Sequence, residues 1–588
     1  MSRLGGCVHC SGMSRTRAVI AALAVAASLL WIVQTATVPT FDFDEALYRR
    51  IAEEMKQSGS YLRQTWDGRP FYEKPPTYEW AIVLASRAVD GPRDTVSVFA
   101  SRLPSLLFSW GTMLLLAWFW RRSATDYARL FGSEREMPQW MTSPALPILA
   151  YNAALLPVAG AGCVLLDPML TFFLTVPLMM FSRATLRSGS RLELTTRETV
   201  IAAVAMAAAT AIKGLIGLVI PALAIAVHIV LSRSVRSAAT TLRRAAPAFA
   251  GGAILAALFY GVIYIRSGPR FFYEFFVRQH FGRGLTAMQG HNGPFFYHAL
   301  VVLLFGGALV SCVLLLAARK GPLVPYARWA FPLSWIIAVI VFYSAMATKL
   351  PNYTWPVWPA LSIAVCILGV RSAAPRAAGQ RRWQRATAVL ALASPILLSA
   401  ISMIVASGLD PLMLPLRPRT RMIVSAFAPL PGLVRAAFFI AGVLFIGQYL
   451  VLQHFRRRSL DGPAHLWQPL AASAFLNAAA VVVVCLAIVP HAARGARRPL
   501  VQLARVAAHR HQPGGDFTTV GLFSPTVSSS YDAGYLQQLG LRSLDASKFA
   551  PPGQHLVLAP IWVASPCSQR DFRLLQRTGY LVLCESRR

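Results

Sequence analysis

Long apolar stretches alternate with short polar ones through most of the chain, and many of them reach the ~20 residues that cross a bilayer as a helix. Such runs stand at residues 18–38, 98–120, 142–163, 168–185, 197–212, 214–232, 245–265, 294–317, 327–347, 354–371, 387–408, 432–453 and 468–490, thirteen in all. The pattern predicts a polytopic α-helical membrane protein. The first run is like a signal peptide but shows no small-residue cleavage site, so it reads as an uncleaved anchor.

The main polar interruption, residues 39–97, has its own periodicity. After Asp44, the apolar Leu47, Tyr48, Ile51 and Met55 recur at helical spacing, while Arg49, Arg50, Glu53, Glu54 and Lys56 fill the other side. That predicts an amphipathic helix lying on the membrane surface. The chain turns through Gly59 and Gly68, and Pro75-Pro76 suit the first turn of a second surface helix over about residues 75–89. Glu73 and Lys74 then stand on irregular backbone just ahead of it. Past residue 490 the runs shorten: FTTVGLF, HLVLAP and YLVLCESR read as strands, with helical stretches at 531–539 and 569–577. The expected organisation is a cytoplasmic N-terminus (1–17), a transmembrane domain (18–490) whose first outer loop is 39–97, and a small extracytoplasmic α/β domain (491–588).

Composition agrees with this layout. With 55% hydrophobic residues over 588 positions, the chain is not one water-soluble core. The net charge of +33 would suit nucleic acid, but its placement excludes that partner. The cations gather in Arg121-Arg122, RATLRSGSR, SRSVRSAATTLRR, Arg319-Lys320, RSAAPRAAGQRRWQR and HFRRR, which are alternate loops. This is the positive-inside pattern, with an affinity for anionic membrane lipids. It puts the N-terminus inside and residues after 490 outside. Cys163, Cys312, Cys366 and Cys485 fall in apolar runs and act as small hydrophobes. Cys567 and Cys584 are free to form a disulfide if their part of the chain is outside.

Crossing order then decides which polar residues meet. Asp44, Glu73, Lys74, Asp167, Lys213, His280, Arg283, His291, Lys349 and Tyr353 all fall on the outer side. Residues 41–80 alone hold Asp42, Asp44, Glu45, Glu53, Glu54, Asp67, Glu73 and Glu79, eight of the 24 acidic residues. Carboxylates beside a membrane are costly without water, a cation or a partner, so the concentration marks a functional site.

The ordered series Asp44-Glu45, Phe71-Tyr72-Glu73-Lys74-Pro75-Pro76, Leu166-Asp167-Pro168 with LTFFLT behind it, Lys213-Gly214, Arg278-Gln279-His280-Phe281-Gly282-Arg283, His291-Asn292-Gly293-Pro294-Phe295 and Lys349-Leu350-Pro351-Asn352-Tyr353 resembles the aminoarabinose transferases. These are lipid-modifying relatives of the protein O-mannosyltransferases, and the resemblance covers about residues 18–371. Two positions depart from it: Leu47 stands where those enzymes usually carry an Arg, with Arg49 and Arg50 close by, and Glu79 adds an acidic residue in the second surface helix.

The resemblance implies a GT-C glycosyltransferase that takes a sugar from a polyprenyl-phosphate donor and passes it to a lipid A or envelope-glycan acceptor on the outer face of the inner membrane. Charge builds on the phosphate as the glycosidic bond breaks, so preorganised cations must meet it. Lys74, Arg283 and Lys349 are the candidates, with Tyr353 as a neutral donor. Asp44 and Asp167 are the catalytic candidates, to orient or deprotonate the acceptor or to stabilise charge on the sugar. The resemblance also implies Glu73 and His280 as ligands of a divalent metal, Zn or Mg/Mn. Plainer roles stand beside each: helix capping for the two Asp, a solvated pair for Glu73-Lys74, snorkelling for Lys213, and helix anchoring for Lys349. A protein hydroxyl as acceptor and a non-enzymatic transporter of lipid-linked sugar are the alternative functions. A transporter would be expected to show internal repeats or midplane ionisable groups, and neither stands out.

Overall fold

The computed structural model describes residues 6–37, 43–66, 68–160, 162–188, 192–232, 235–287, 292–319, 330–373, 381–407, 432–458, 466–484 and 487, then 516–519, 543–544, 555–560, 572–578 and 581–586. Helix α1 (Gly6–Thr37) leads into the two surface helices α2 (Phe43–Ser58) and α3 (Thr77–Val89), joined through a tiny hairpin of β1 (Thr65–Trp66) and β2 (Arg69–Pro70). The periodicity read along α2 is the one it buries: Leu47, Tyr48, Ile51 and Met55 all join the core. Pro76 caps α3, one residue from the expected start. The loop also grips the bundle, because Arg63 Nε donates to the Arg266 carbonyl at 2.6 Å.

The bundle continues with α4 (Val98–Phe131), α5 (Leu146–Asn152), α6 (Leu155–Gly160), α7 (Asp167–Ser188), α8 (Thr196–Lys213), α9 (Ile216–Leu231) and α10 (Val235–Ser267). After α11 (Pro269–Phe272), a π-helical stretch Tyr273–Gly282 and α12 (Arg283–Leu285), it resumes with α13 (Tyr297–Phe305), α14 (Gly307–Arg319), α15 (Phe331–Ala345), α16 (Val357–Ala373) and α17 (Arg381–Ala406). Helices Gly432–Arg458 and Trp467–Val484 follow. One core of buried side chains runs from α1 to the last of these helices.

Thirteen unbroken spans are not what these residues form. Among the described residues, six helices are long and apolar enough to cross a membrane, or seven if a bent pair is one crossing. That pair is α13 with α14, which meet at 99° where the run at 294–317 was expected to be straight. The break falls at Gly306-Gly307, and Gly307 has φ +50°, a conformation that L side chains resist. Helices α9, α15 and α16 are apolar but shorter than a full span.

The run at 142–163 is also broken, into α5 and α6. Pro157 lies in the first turn of α6, where its missing N–H is harmless, so it begins a new helix. The segment nevertheless covers the height of the bundle. Arg17 near the start of α1 donates to the Gln139 carbonyl and to Thr142, and Gln34 near its end donates to the Ala159 carbonyl at 2.7 Å. At ~1.5 Å per residue, the stretch of α1 between those anchors is ~25 Å long, close to the thickness of a bilayer core.

At the C-terminal end, β3 (Asp516–Thr519), β4 (Ser543–Leu544), β5 (His555–Pro560), β6 (Phe572–Thr578) and β7 (Leu581–Ser586) form one mixed sheet in the order β4-β3-β5-β7-β6. The helix expected at 569–577 is strand β6. Only Gly579-Tyr580 separates it from β7, the length of a tight hairpin connection, and β7 pairs antiparallel with both β5 and β6. Residues 531–539, Cys567, Asp42, Asp67 and His291 lie outside the described residues.

Candidate active site

Helix α7 opens at Asp167 and α8 closes at Lys213, so two antiparallel neighbours bring these residues to one end of the bundle. Lys213 Nζ stands 2.5 Å from Asp167 Oδ1, and the Asn352 amide donates to Oδ2 at 2.7 Å. The Lys213 ammonium also lies 4.7 Å from the centroid of the Tyr353 ring, a cation–π contact. Both Asn352 and Tyr353 come from a single 3₁₀ turn, Pro351–Thr354. Tyr353 in turn stacks on Tyr343, with centroids 4.8 Å apart.

Arg283 completes the row. Its Nη1 reaches the Tyr353 hydroxyl at 3.4 Å and its Nε donates to Gln279 Oε1 at 2.7 Å. The backbone holds it there, since Ala347 and Thr348 donate to the carbonyls of Gly284 and Arg283 at 3.0 and 3.2 Å. Burial works against the guanidinium charge, and the Tyr353 oxygen followed by Glu73 and Tyr48 outweighs it, so the cation is held more firmly than in water. That balance also places Glu73 within electrostatic reach of Arg283.

His280 sits differently from its expectation. Nε2 is 3.0 Å from the Lys213 carbonyl and Nδ1 is 3.0 Å from the Phe275 carbonyl, so the ring is wedged between two backbone oxygens. Gly214 makes room for it: with φ +74°, a Cβ there would meet Nε2 at 1.9 Å. Burial, then the nearby Lys74, pulls the imidazole below its usual range despite those carbonyls. A metal ligand offers an outward lone pair, and neither ring nitrogen does. No group of three or more His, Cys, Asp or Glu suited to a metal occurs among the described residues. With both ring nitrogens turned to backbone oxygens, an ion at Glu73 and His280 would require the imidazole to turn and phosphate or water to complete its ligands.

Lys349 needs a similar correction. Its ammonium donates to the carbonyls of Ser344 at 2.6 Å, of Tyr343 at 3.5 Å and of Met346. These close the end of α15, so Lys349 anchors a helix terminus and its donors face backbone instead of a phosphate.

The segment carrying Glu73 and Lys74 is held beside the π-helical stretch. Tyr72 packs against Phe271, Phe275 and Ile263. Glu73 and Lys74 are half-buried, and the charge of Lys74 is felt by both Glu79 and His280. Glu79 on α3 is fully buried, and neither carboxylate oxygen has a partner outside its own residue. Desolvation pushes its pKa up to about 8, with its own backbone and Lys74 opposing. Asp44 is the second residue of α2.

The structure thus joins Asp167, Lys213, Asn352, Tyr353 and Arg283 in one row, with Glu73, Lys74 and His280 alongside. Asn352 and Gln279 escaped the sequence reading although both lie inside its motifs. So did the pairing of Glu45 with Arg102, for which a signal existed: a lone Arg inside an apolar run.

No family model matches the chain. Curated relatives that the chain matches carry the name undecaprenyl phosphate-alpha-4-amino-4-deoxy-L-arabinose arabinosyl transferase. The one from Yersinia enterocolitica is 26% identical over 330 residues, 54% of this chain and 53% of the relative. That from Pseudomonas savastanoi pv. phaseolicola is 28% identical over 316 residues, 53% of this chain and 54% of the relative. Each match therefore spans about half the relative's length. Crystal structures of ArnT from Cupriavidus metallidurans superpose over nearly the whole chain. The undecaprenyl phosphate complex gives a TM-score of 0.65 at 19% identity, covering 96% of this chain and 97% of that one, and the apo state gives 0.64. The fold is that of the aminoarabinose transferases. Coverage of 96% carries the likeness beyond residue 371, where the motif series of those transferases stops.

Proposed function

We propose that this chain is an inverting, polyprenyl-phosphate-sugar-dependent GT-C glycosyltransferase. It transfers a sugar of the aminoarabinose kind, or another pentose or hexose, to lipid A or another envelope glycan. The reaction takes place on the periplasmic side of the bacterial inner membrane. The observation that carries this reading is the row from Asp167 through Lys213 and Tyr353 to Arg283, which places fixed cations and a carboxylate at one end of a membrane-spanning bundle. Curated relatives 26% and 28% identical over about half their length bear the corresponding name, and a structure of the same fold contains undecaprenyl phosphate.

Each residue's role follows from its partners. Arg283, oriented by Gln279 and Tyr353, presents a planar fork to the donor phosphate and meets the charge that grows as the C–O bond breaks. Lys74 and Lys213 add positive potential. Asp167 accepts from Lys213 and Asn352 through its two oxygens, which fixes the position of the carboxylate and of the Lys213 side chain. Asp44, at the opening of α2, orients the acceptor. An acceptor that is already a phosphate is anionic and needs little base catalysis. No step runs through a metal.

Purified protein in lipid, given donor labelled in the sugar, is expected to release polyprenyl phosphate and to place the label in the lipid fraction. Asp44→Asn and Lys74→Ala abolish the release while the protein stays folded. Unchanged turnover in both variants rejects the proposal, and label on protein moves the acceptor to a protein hydroxyl.

A further inference from the structure

We infer that Glu45 and Arg102 are positioning residues that hold Asp44 and Asp167 at a set separation. This inference rests on the transferase reading above. Arg102 on α4 is fully buried and Glu45 on α2 is 2% exposed, so neither charge is solvated. They meet as a fork on a fork: Arg102 Nε lies 2.5 Å from Oε1 and Nη2 lies 3.1 Å from Oε2. The remaining terminal nitrogen, Nη1, donates to the Thr35 carbonyl in the last turn of α1 at 3.1 Å. One guanidinium therefore ties the end of α1 to the start of α2, which brackets the chain on both sides of residues 38–42.

The same carboxylate reaches the other candidate acid. Glu45 Oε1 accepts a second bond from the Val164 backbone N–H at 3.3 Å, three residues before Asp167. The next residue is held from the same helix face. Ser105, one turn beyond Arg102, accepts from the Leu165 N–H at 3.0 Å and donates to the Leu165 carbonyl at 2.8 Å. Ser105 Oγ also pairs with the Tyr78 hydroxyl at 2.8 Å, which brings in α3. Glu45 follows Asp44 directly in the chain, so a single buried carboxylate fixes the backbone next to one acid and three residues short of the other.

A buried ion pair is weak evidence for stability, because well-packed apolar replacements are often neutral. What an apolar pair lacks is the two-pronged geometry. The fork sets distance and rotation together, whereas a packed methionine sets neither. The role should thus show in catalysis more than in folding.

Two variants test this beside the wild type, in lipid, with polyprenyl-phosphate-linked sugar as donor. In Glu45→Gln with Arg102→Met, both charges leave together, and in Arg102→Lys the charge stays while the second prong is lost. Thermal unfolding, donor KM and kcat are read for each. The expected result is near-wild-type unfolding and donor KM, with kcat down by about 100-fold, the scale of a misplacement of about 1 Å. Wild-type kcat in a folded double variant overturns the inference. If the double variant does not fold, Arg102→Lys decides: kcat lowered at constant donor KM supports the positioning role, and unchanged kcat overturns it. Absence of turnover in the wild type rejects the transferase reading and the clamp with it, which is distinct from wild-type turnover that the variants share.

Discussion

Lys213 and Asp167 end neighbouring antiparallel helices at the same level, 2.5 Å apart between Nζ and Oδ1, and both are buried. Removing one partner of such a pair strands the other and costs about 3–5 kcal/mol, whereas removing both leaves no orphan charge. Asp167→Asn and Lys213→Met alone should each destabilise the protein more than the two together. Chemical unfolding of the four species in a double-mutant cycle measures the coupling, and additive losses would show that the pair is not one unit.

Arg283 and Tyr353 separate in a similar way. Arg283→Lys keeps the charge but loses the planar fork and its bond to Gln279, so donor KM should rise by about tenfold or more, about 1.4 kcal/mol in binding. Tyr353→Phe loses only a hydroxyl 3.4 Å from Arg283 and keeps the ring under Lys213. Its effect on donor KM should be several times smaller, and steady-state kinetics of both variants with one donor check the order.

Lys349 gives the opposite signature. Its ammonium closes the end of α15, so Lys349→Met should lower stability by about 1–2 kcal/mol and leave donor KM unchanged. A tenfold rise in KM at unaltered stability would return this residue to the phosphate.

Glu79 makes stability depend on pH. Its carboxyl, raised from 4.5 to about 8 by burial, stays protonated in the folded protein while the unfolded chain ionises. The stability it supports is complete below about pH 4.5 and falls as pH rises towards 8, by up to about 1.4 kcal/mol per pH unit. Unfolding temperatures between pH 5 and 8 should decline in the wild type and flatten in Glu79→Gln. Equal slopes in the two proteins would show that Glu79 is solvated.

The amphipathic face of α2 was legible because Leu47, Tyr48, Ile51 and Met55 share one side of a helix by spacing alone, and burial follows from that side being apolar. That Asp167, Lys213, Tyr353 and Arg283 share one end of the bundle was legible from the alternation of basic loops, which predicts crossing order without any coordinates. The continuity of the spans was not. Whether Pro157 restarts a helix within one crossing, or Gly306-Gly307 bends a pair by 99°, depends on how neighbours pack around the break. Strand β6 was likewise decided by a partner, since pairing with β7 supplies backbone bonds that a seven-residue stretch cannot foresee.

Local periodicity and charge placement in this protein determine what a segment is and which end of the bundle it reaches, because both depend on residues close together in the chain. Tertiary structure alone decided which side chains pair. Asp167 takes its amide donor from 185 positions away, Arg102 finds its carboxylate 57 positions back, and Lys349 and His280 face backbone oxygens. A side chain's partner is set by packing several helices at once, and no spacing rule within one helix encodes that.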